Sequence, residues 1–193
     1  MSTLLVDGIN DADGGGPKAT LPTSGGSAFT LGPNWGVMEF VSTASITATT
    51  NLDVTSMAAG YDYIVNLTGA TFATDSVTLE ARLSQSGTFN TGSSYHDGPG
   101  TVTSITLSGS MGNDDPGGLS VDIMVWEPNV GSQRTWIKAV GHTTDTAAGL
   151  GLSTTYGGAF IANVNACDGL RLFLSSGDWL ATGKINVWRR RIS

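Results

Sequence analysis

The chain has 193 residues, only 13% of them charged, with 9 basic against 16 acidic side chains and a formal net charge of -7. That balance gives no electrostatic footprint for DNA or RNA, and the length excludes two large domains. Gly 27, Ser 20 and Thr 25 dominate the composition, so hydroxyls and amides rather than ions must keep the surface wet.

Residues 1–36 differ from the rest. Gly14-Gly15-Gly16-Pro17, Pro22, Gly25-Gly26 and Pro33 punctuate the backbone too often for elements longer than about five or six residues. Leu4, Leu5, Val6 and Ile9 are the only apolar cluster, too small to offset an ordering cost of roughly 1–2 kcal/mol per residue. The segment is expected to be an extended arm that becomes ordered on a partner, with those four side chains as its anchoring residues. Met1 to Asp7 has neither a basic start nor a long apolar stretch, and no apolar run approaches a membrane span, so no signal peptide and no membrane insertion are expected.

From Val37 the texture changes to short β-branched and aromatic runs between Gly, Asn, Asp and Ser clusters. Strands are predicted at 37–41, 45–50, 61–67, 76–84, 101–107, 119–126, 134–140, 159–164, 170–175 and 184–189. The clearest alternate: Val77, Leu79, Ala81 and Leu83 against Thr78, Glu80 and Arg82, and Leu119, Val121, Ile123 and Val125 against Ser120, Asp122, Met124 and Trp126. Leu170, Leu172 and Leu174 alternate in the same way with Arg171 and Phe173. No stretch of ten or more residues carries a helical period. Residues 37–193 are therefore expected to form an all-β, antiparallel two-sheet sandwich of jelly-roll type. A hydrophobic share of 39% supports a folded core, and no fixed repeat suggests a solenoid shaft.

Catalytic motifs are missing. There is no nucleophile elbow, phosphate loop or zinc-protease helix, and Gly149-Leu150-Gly151-Leu152 lacks the rest of a dinucleotide fingerprint. A lone cysteine, Cys167, allows neither a disulfide framework nor a thiolate zinc cluster. His96, beside Asp97, and His142 are read as loop residues. Asn10-Asp11-Ala12-Asp13-Gly14 and Asn113-Asp114-Asp115-Pro116 are read as Asp-capped turns, since the first fails the ligand register of a calcium loop. No catalytic residue, cofactor or metal is expected.

The five tryptophans are more informative. Trp35 and Trp188 bracket the domain as packing residues, and Trp136 alternates with polar neighbours on a strand. Trp179 stands in a turn between two strands, where its ring is either folded onto the core or left out to stack on a sugar face. The same two readings apply to Tyr95 and Trp126, and these three are the candidate glycan or host contacts. The basic cluster Trp188-Arg189-Arg190-Arg191 is read as an end-of-strand patch that pairs with the protein's own or a neighbour's carboxylates.

Two stretches carry a resemblance. Ser2-Thr3-Leu4-Leu5-Val6-Asp7-Gly8-Ile9, followed by a Gly-rich turn, resembles the leader of bacteriophage tail-fibre proteins. Tyr61-Asp62-Tyr63-Ile64-Val65, then Leu79, Arg82-Leu83-Ser84 and Gly87, look like a family of phage virion proteins. The closing Leu172-Phe173-Leu174-Ser175-Ser176-Gly177 and Gly183-Lys184-Ile185-Asn186-Val187 match the hairpin on which that family ends. The chain departs from the family by ending in arginines where a neutral Tyr-Gly is usual, and by having no shaft.

The resemblance implies a virion-borne β-sandwich in a fibre, spike or tail tip, a homotrimer bound to other virion proteins through residues 1–36 and displayed to host-surface polysaccharide. The expectation is a non-enzymatic structural virion protein. A capsid decoration protein and a stand-alone carbohydrate-binding module are the alternatives, with a polysaccharide hydrolase or esterase behind them.

Overall fold

The computed structural model describes residues 38–97, 100–113, 118–126, 128, 134–144, 151–160 and 166–192, together with three short leading strands. These are β1 (Ile9–Asn10), β2 (Pro17–Thr20) and β3 (Thr30–Leu31), which pair antiparallel in the order β1-β2-β3. Of the anchoring residues, Leu4, Leu5 and Val6 lie outside the described residues, and the backbone of Ile9 pairs with Ala19.

The main body is all-β, with no helix among the described residues. In chain order its strands are β4 (Met38–Ser45), β5 (Asn51–Thr55), β6 (Tyr61–Ala70), β7 (Leu79–Gln85), β8 (Thr88–Phe89), β9 (Tyr95–His96) and β10 (Thr101–Val102). There follow β11 (Ile105–Thr106), β12 (Leu119–Trp126), β13 (Trp136–Thr144), β14 (Gly151–Phe160), β15 (Gly169–Leu174) and β16 (Lys184–Arg191). One sheet of eight strands runs β10-β9-β14-β13-β12-β6-β16-β4, and a second runs β11-β7-β15-β5 with β8 beside β7. The chain passes back and forth between the sheets, as in a jelly roll. Every strand pairing is antiparallel.

The period-two pattern decides which face is dry. Val121, Ile123 and Val125 of β12, Val65 and Leu67 of β6, and Ile137 and Ala139 of β13 point inward. They meet Leu79, Ala81 and Leu83 of β7 and Leu170, Leu172 and Leu174 of β15 in a single core. Thr78, Glu80, Arg82, Asp122 and Arg171 face outward, as the alternation requires.

Some boundaries differ from the sequence expectation. The 37–41 prediction lengthens to β4, whereas 45–50 is, after Ser45, a connection with a single bridge at Thr49, and β5 begins at Asn51. The 101–107 prediction splits: Thr101 pairs with His96 in the large sheet, while Ile105 pairs with Ala81 in the small one. Of the 159–164 prediction, Ala159 and Phe160 close β14 and 161–164 lie outside the described residues; the Gly- and Thr-rich stretch before them carries little apolar alternation and takes its place by pairing with β13 along nine residues.

Gly141, in the middle of β13, shows how closely strands approach: a Cβ there would run into the backbone of Ser120 and Val121. Replacing Gly141 by Ala is expected to destabilise the protein by about 1–3 kcal/mol, seen as a lower urea midpoint at unchanged slope.

Candidate functional site

The aromatic residues exchange the places that the sequence suggests for them. Trp179 is completely buried and is not available to a sugar. Its backbone bridges Thr49 on one side and Phe72 on the other, with Trp179 N donating to Thr49 O at 2.9 Å. Gly177, at φ +75° and packed against Thr74, makes the preceding turn sharp enough to drive the ring inward. The ring thus plugs the end of the sandwich, and among the described residues its indole N–H finds no acceptor.

Tyr95 is likewise fully buried. Its hydroxyl accepts from Leu83 N at 3.0 Å and donates to Asn90 O at 3.0 Å, which ties the β8–β9 connection to β7. Neither ring offers a face to a ligand, so both leave the glycan assignment. Their inward turn depends on backbone partners distant in sequence or on a hydroxyl partner, neither visible in local composition.

The outer face of the five-stranded sheet is laced with charge. Arg171 makes a bidentate pair with Asp53 at 2.7 Å for both bonds and lies 4.1 Å over the Phe89 ring. Arg82, directly across the register from Arg171, stacks 4.5 Å over Phe173 and donates through Nε to Thr103 O at 3.1 Å. Glu80 accepts from Ser104 Oγ at 2.6 Å.

The outer face of the eight-stranded sheet is different. Across β4, β16, β6, β12 and β13 the register sets Phe40, Trp188, Ile64, Met124 and Lys138 in one row. The adjoining row carries Met38, Arg190 and Asp62, and beyond them the facing pair Trp126 and Trp136. Trp136 is 54% exposed, Phe40 49%, Trp188 37% and Met38 36%, while Trp126 is half-buried. Phe40 and Trp188 meet edge to face with centroids 5.0 Å apart. Met38, Asp62, Ile64, Met124, Trp126 and Arg190 rim a hollow of about 280 Å³ in this belt.

The next row is polar and bonded to itself. Thr43 Oγ1 donates to Asn186 Oδ1 at 2.7 Å, Asn186 Nδ2 to Asn66 Oδ1 at 3.1 Å, and Asn66 Nδ2 to Asp122 Oδ1 at 2.7 Å. Three of the candidate groups therefore separate: Trp126 stays at the surface, Trp179 and Tyr95 do not. Trp188, read as a packing residue, and Trp136 are the exposed tryptophans among the described residues, and the register of β16 and β13 with their neighbours is what reveals them.

The terminal arginines pair with the protein's own carboxylates. Arg189 binds Glu39 bidentately at 2.7 and 2.9 Å, which holds the Glu39 carboxyl below its usual range, and lies 4.3 Å over Tyr61. Arg190 pairs at 2.7 Å with the buried Asp62. The β4 strand that carries Glu39 is the sheet's edge, and all eight of its residues are exposed on both faces. Beneath it, a groove of about 250 Å³ opens between β4 and β16 of one sheet and β5 of the other.

The two histidines are not loop residues: His96 is exposed on β9 and His142 exposed on β13. Asp97, instead of standing alone beside His96, accepts from Thr106 N at 2.8 Å. Asn113 donates to Ala73 O at 3.1 Å, as a turn residue would, while Asp11 to Gly14 and Asp114 to Gly117 lie outside the described residues. Cys167 is buried, and burial raises its thiol pKa, which disfavours a reactive thiolate. Among the described residues no three His, Cys, Asp or Glu side chains gather as a metal site. No helix of the described residues is long and apolar enough to cross a membrane. Comparison with protein-family models, with curated proteins and with solved structures returns no match.

Two outcomes follow from the buried rings. Trp179→Ala is expected to cost about 3–5 kcal/mol of stability in urea unfolding, as for a large core aromatic. Burial pushes the Tyr95 phenol up from 10.0 to about 12, against the lowering effect of the Leu83 N–H. The folded state keeps a proton that the unfolded chain releases, so this stabilisation is full below pH 10.0 and is lost as the pH rises toward about 12. Near-UV circular dichroism on alkaline titration should show the loss, and Tyr95→Phe should flatten it.

Proposed function

We propose that this chain is a non-enzymatic structural subunit of a phage or phage-like particle, attached through residues 1–36 and displaying its sandwich at the host surface. The observation that carries the reading is the polarity of the sandwich along its strands. The chain enters through Met38 of β4, whose register partner is Arg190 of β16, and Ile192 N donates to Gly60 O at 2.9 Å at the same end. The leading segment therefore joins the body at the rim of an edge strand, where it can reach another chain without disturbing the core.

The opposite end is built from hydroxyl-rich turns bonded to one another. Ala73 N donates to Asp178 O at 3.0 Å, Leu180 N to Thr71 O at 2.9 Å, and Thr78 N to Ser175 Oγ at 3.0 Å, while the Thr71 and Thr182 hydroxyls pair. Such a surface, rich in Ser and Thr with the exposed Asp75 and Asp178 among them, suits hydrogen bonding to polysaccharide hydroxyls in competition with water. The resemblance of the leader and of the closing hairpin to phage virion proteins supports the same reading. A stand-alone carbohydrate-binding module is the second reading, favoured by the exposed Trp136 ring beside Trp126.

Particles banded on a density gradient from the producing strain are expected to contain this chain by mass spectrometry. A variant lacking residues 1–36 is expected to melt cooperatively yet to be missing from them. Purified particles free of the full-length chain would overturn the reading.

A further inference from the structure

We infer that the aromatic outer face of the eight-stranded sheet is a self-association surface, covered by a second copy of this chain. The inference rests on the assembly reading above and names the partner of one face.

The contrast between the two outer faces comes first. The five-stranded sheet presents Asp53, Arg171, Arg82 and Glu80, a wet face whose aromatic rings lie under guanidinium groups. The eight-stranded sheet presents Phe40, Trp188, Trp136 and Met38, each more than a third exposed. An aromatic ring has about 150–250 Å² to bury, so these four leave on the order of 400 Å² of apolar side chain in water. That matches the largest apolar patch on an ordinary chain, about 300–600 Å² and often functional, and is about half of the roughly 800 Å² that each partner contributes to a standard interface. Its residue types, Trp, Phe, Met and Arg with few free acids, are those of interface cores.

Charge favours a second copy. Each chain carries a net charge of -7, so two copies repel unless they meet where acid is neutralised. At this face the Asp62 carboxylate is held by Arg190, and the Asp122 carboxylate accepts from the Asn66 amide. Lys138, in the same row as Phe40 and Trp188, adds positive charge to this face. The polar row beside the belt is also committed, with the Asn66 amide bonded to Asn186, Asp122 and Thr68. It resembles the closed rim of an interface more than a set of groups waiting for sugar hydroxyls.

The β4 edge extends the surface. It is eight residues long, has no Pro or Lys, and its one acid, Glu39, is drawn back onto β16. Its only guard against pairing is the bulge between the partners of Val187 and Trp188. The other sheet margins are shorter: β10 and β11 have two residues each, and β5 carries the exposed Asp53.

Sedimentation velocity on the full chain over a wide concentration range tests this. The wild type is expected to associate, and Phe40→Lys and Trp136→Ser each to weaken association at least tenfold. Arg82→Ser on the opposite face is expected to leave it unchanged. Trp136 is half exposed, so Trp136→Ser is expected to keep the cooperative melt even where Phe40→Lys does not. A wild-type oligomer untouched by both belt variants would overturn the surface while leaving the assembly reading standing. A wild type that stays monomeric throughout would overturn the surface and remove the self-assembly part of that reading. A monomer that binds purified lipopolysaccharide or soluble glucans, and loses them on Trp136→Ser, would overturn the inference and give the face to a glycan.

Discussion

The structure depends on the contact between two apolar sheet faces of unequal width. Val65, Leu67, Ile123 and Ile137 of the wide sheet close on Leu79, Leu83, Leu170 and Leu172 of the narrow one, and that contact dries the interior. Burying such side chains is worth about 1.5–3 kcal/mol each, which dominates what a chain with so few charges can gather from ion pairs. Five strands, two of them only two residues long, cannot cover eight. The overhang leaves β4 exposed on both faces and opens the groove beside β5.

The fold was legible where alternation was strict. In β7, β12 and β15 every second residue is apolar, and each of those faces is buried as the pattern requires. It was not legible in β14, where Gly and Thr alternate with little apolar contrast and pairing with β13 supplies the order. The split at 101–107 was hidden for another reason: Val102 and Ile105 both look like strand residues, but they belong to different sheets. Local pattern gives the pleat and does not give the partner.

The interaction surface was less legible than the fold. A tryptophan in a turn looks available, and Trp179 is fully buried in the core; a tryptophan ending a strand looks structural, and Trp188 lies at the surface against Phe40. Direction in a turn is decided by long-range bridges such as Thr49 to Trp179, and exposure on a strand by whether another layer covers that face. Neither is written in neighbouring residues. The arginine cluster was the exception, because a run of cations at a strand end in an acidic chain meets carboxylates of that chain on the neighbouring strands, at Glu39 and Asp62.

The indole of Trp179 fills the end of the sandwich without an acceptor for its N–H among the described residues. A buried donor left unpaired costs about 1–3 kcal/mol, a penalty that disappears when the plug swings out and water reaches it. Local breathing is thus eased at the hydroxyl-rich end of the sandwich, and anything that clasps those turns would tighten the hydrocarbon interior beneath them. Contact at the tip and rigidity at the centre become one thermodynamic quantity, joined through a single side chain.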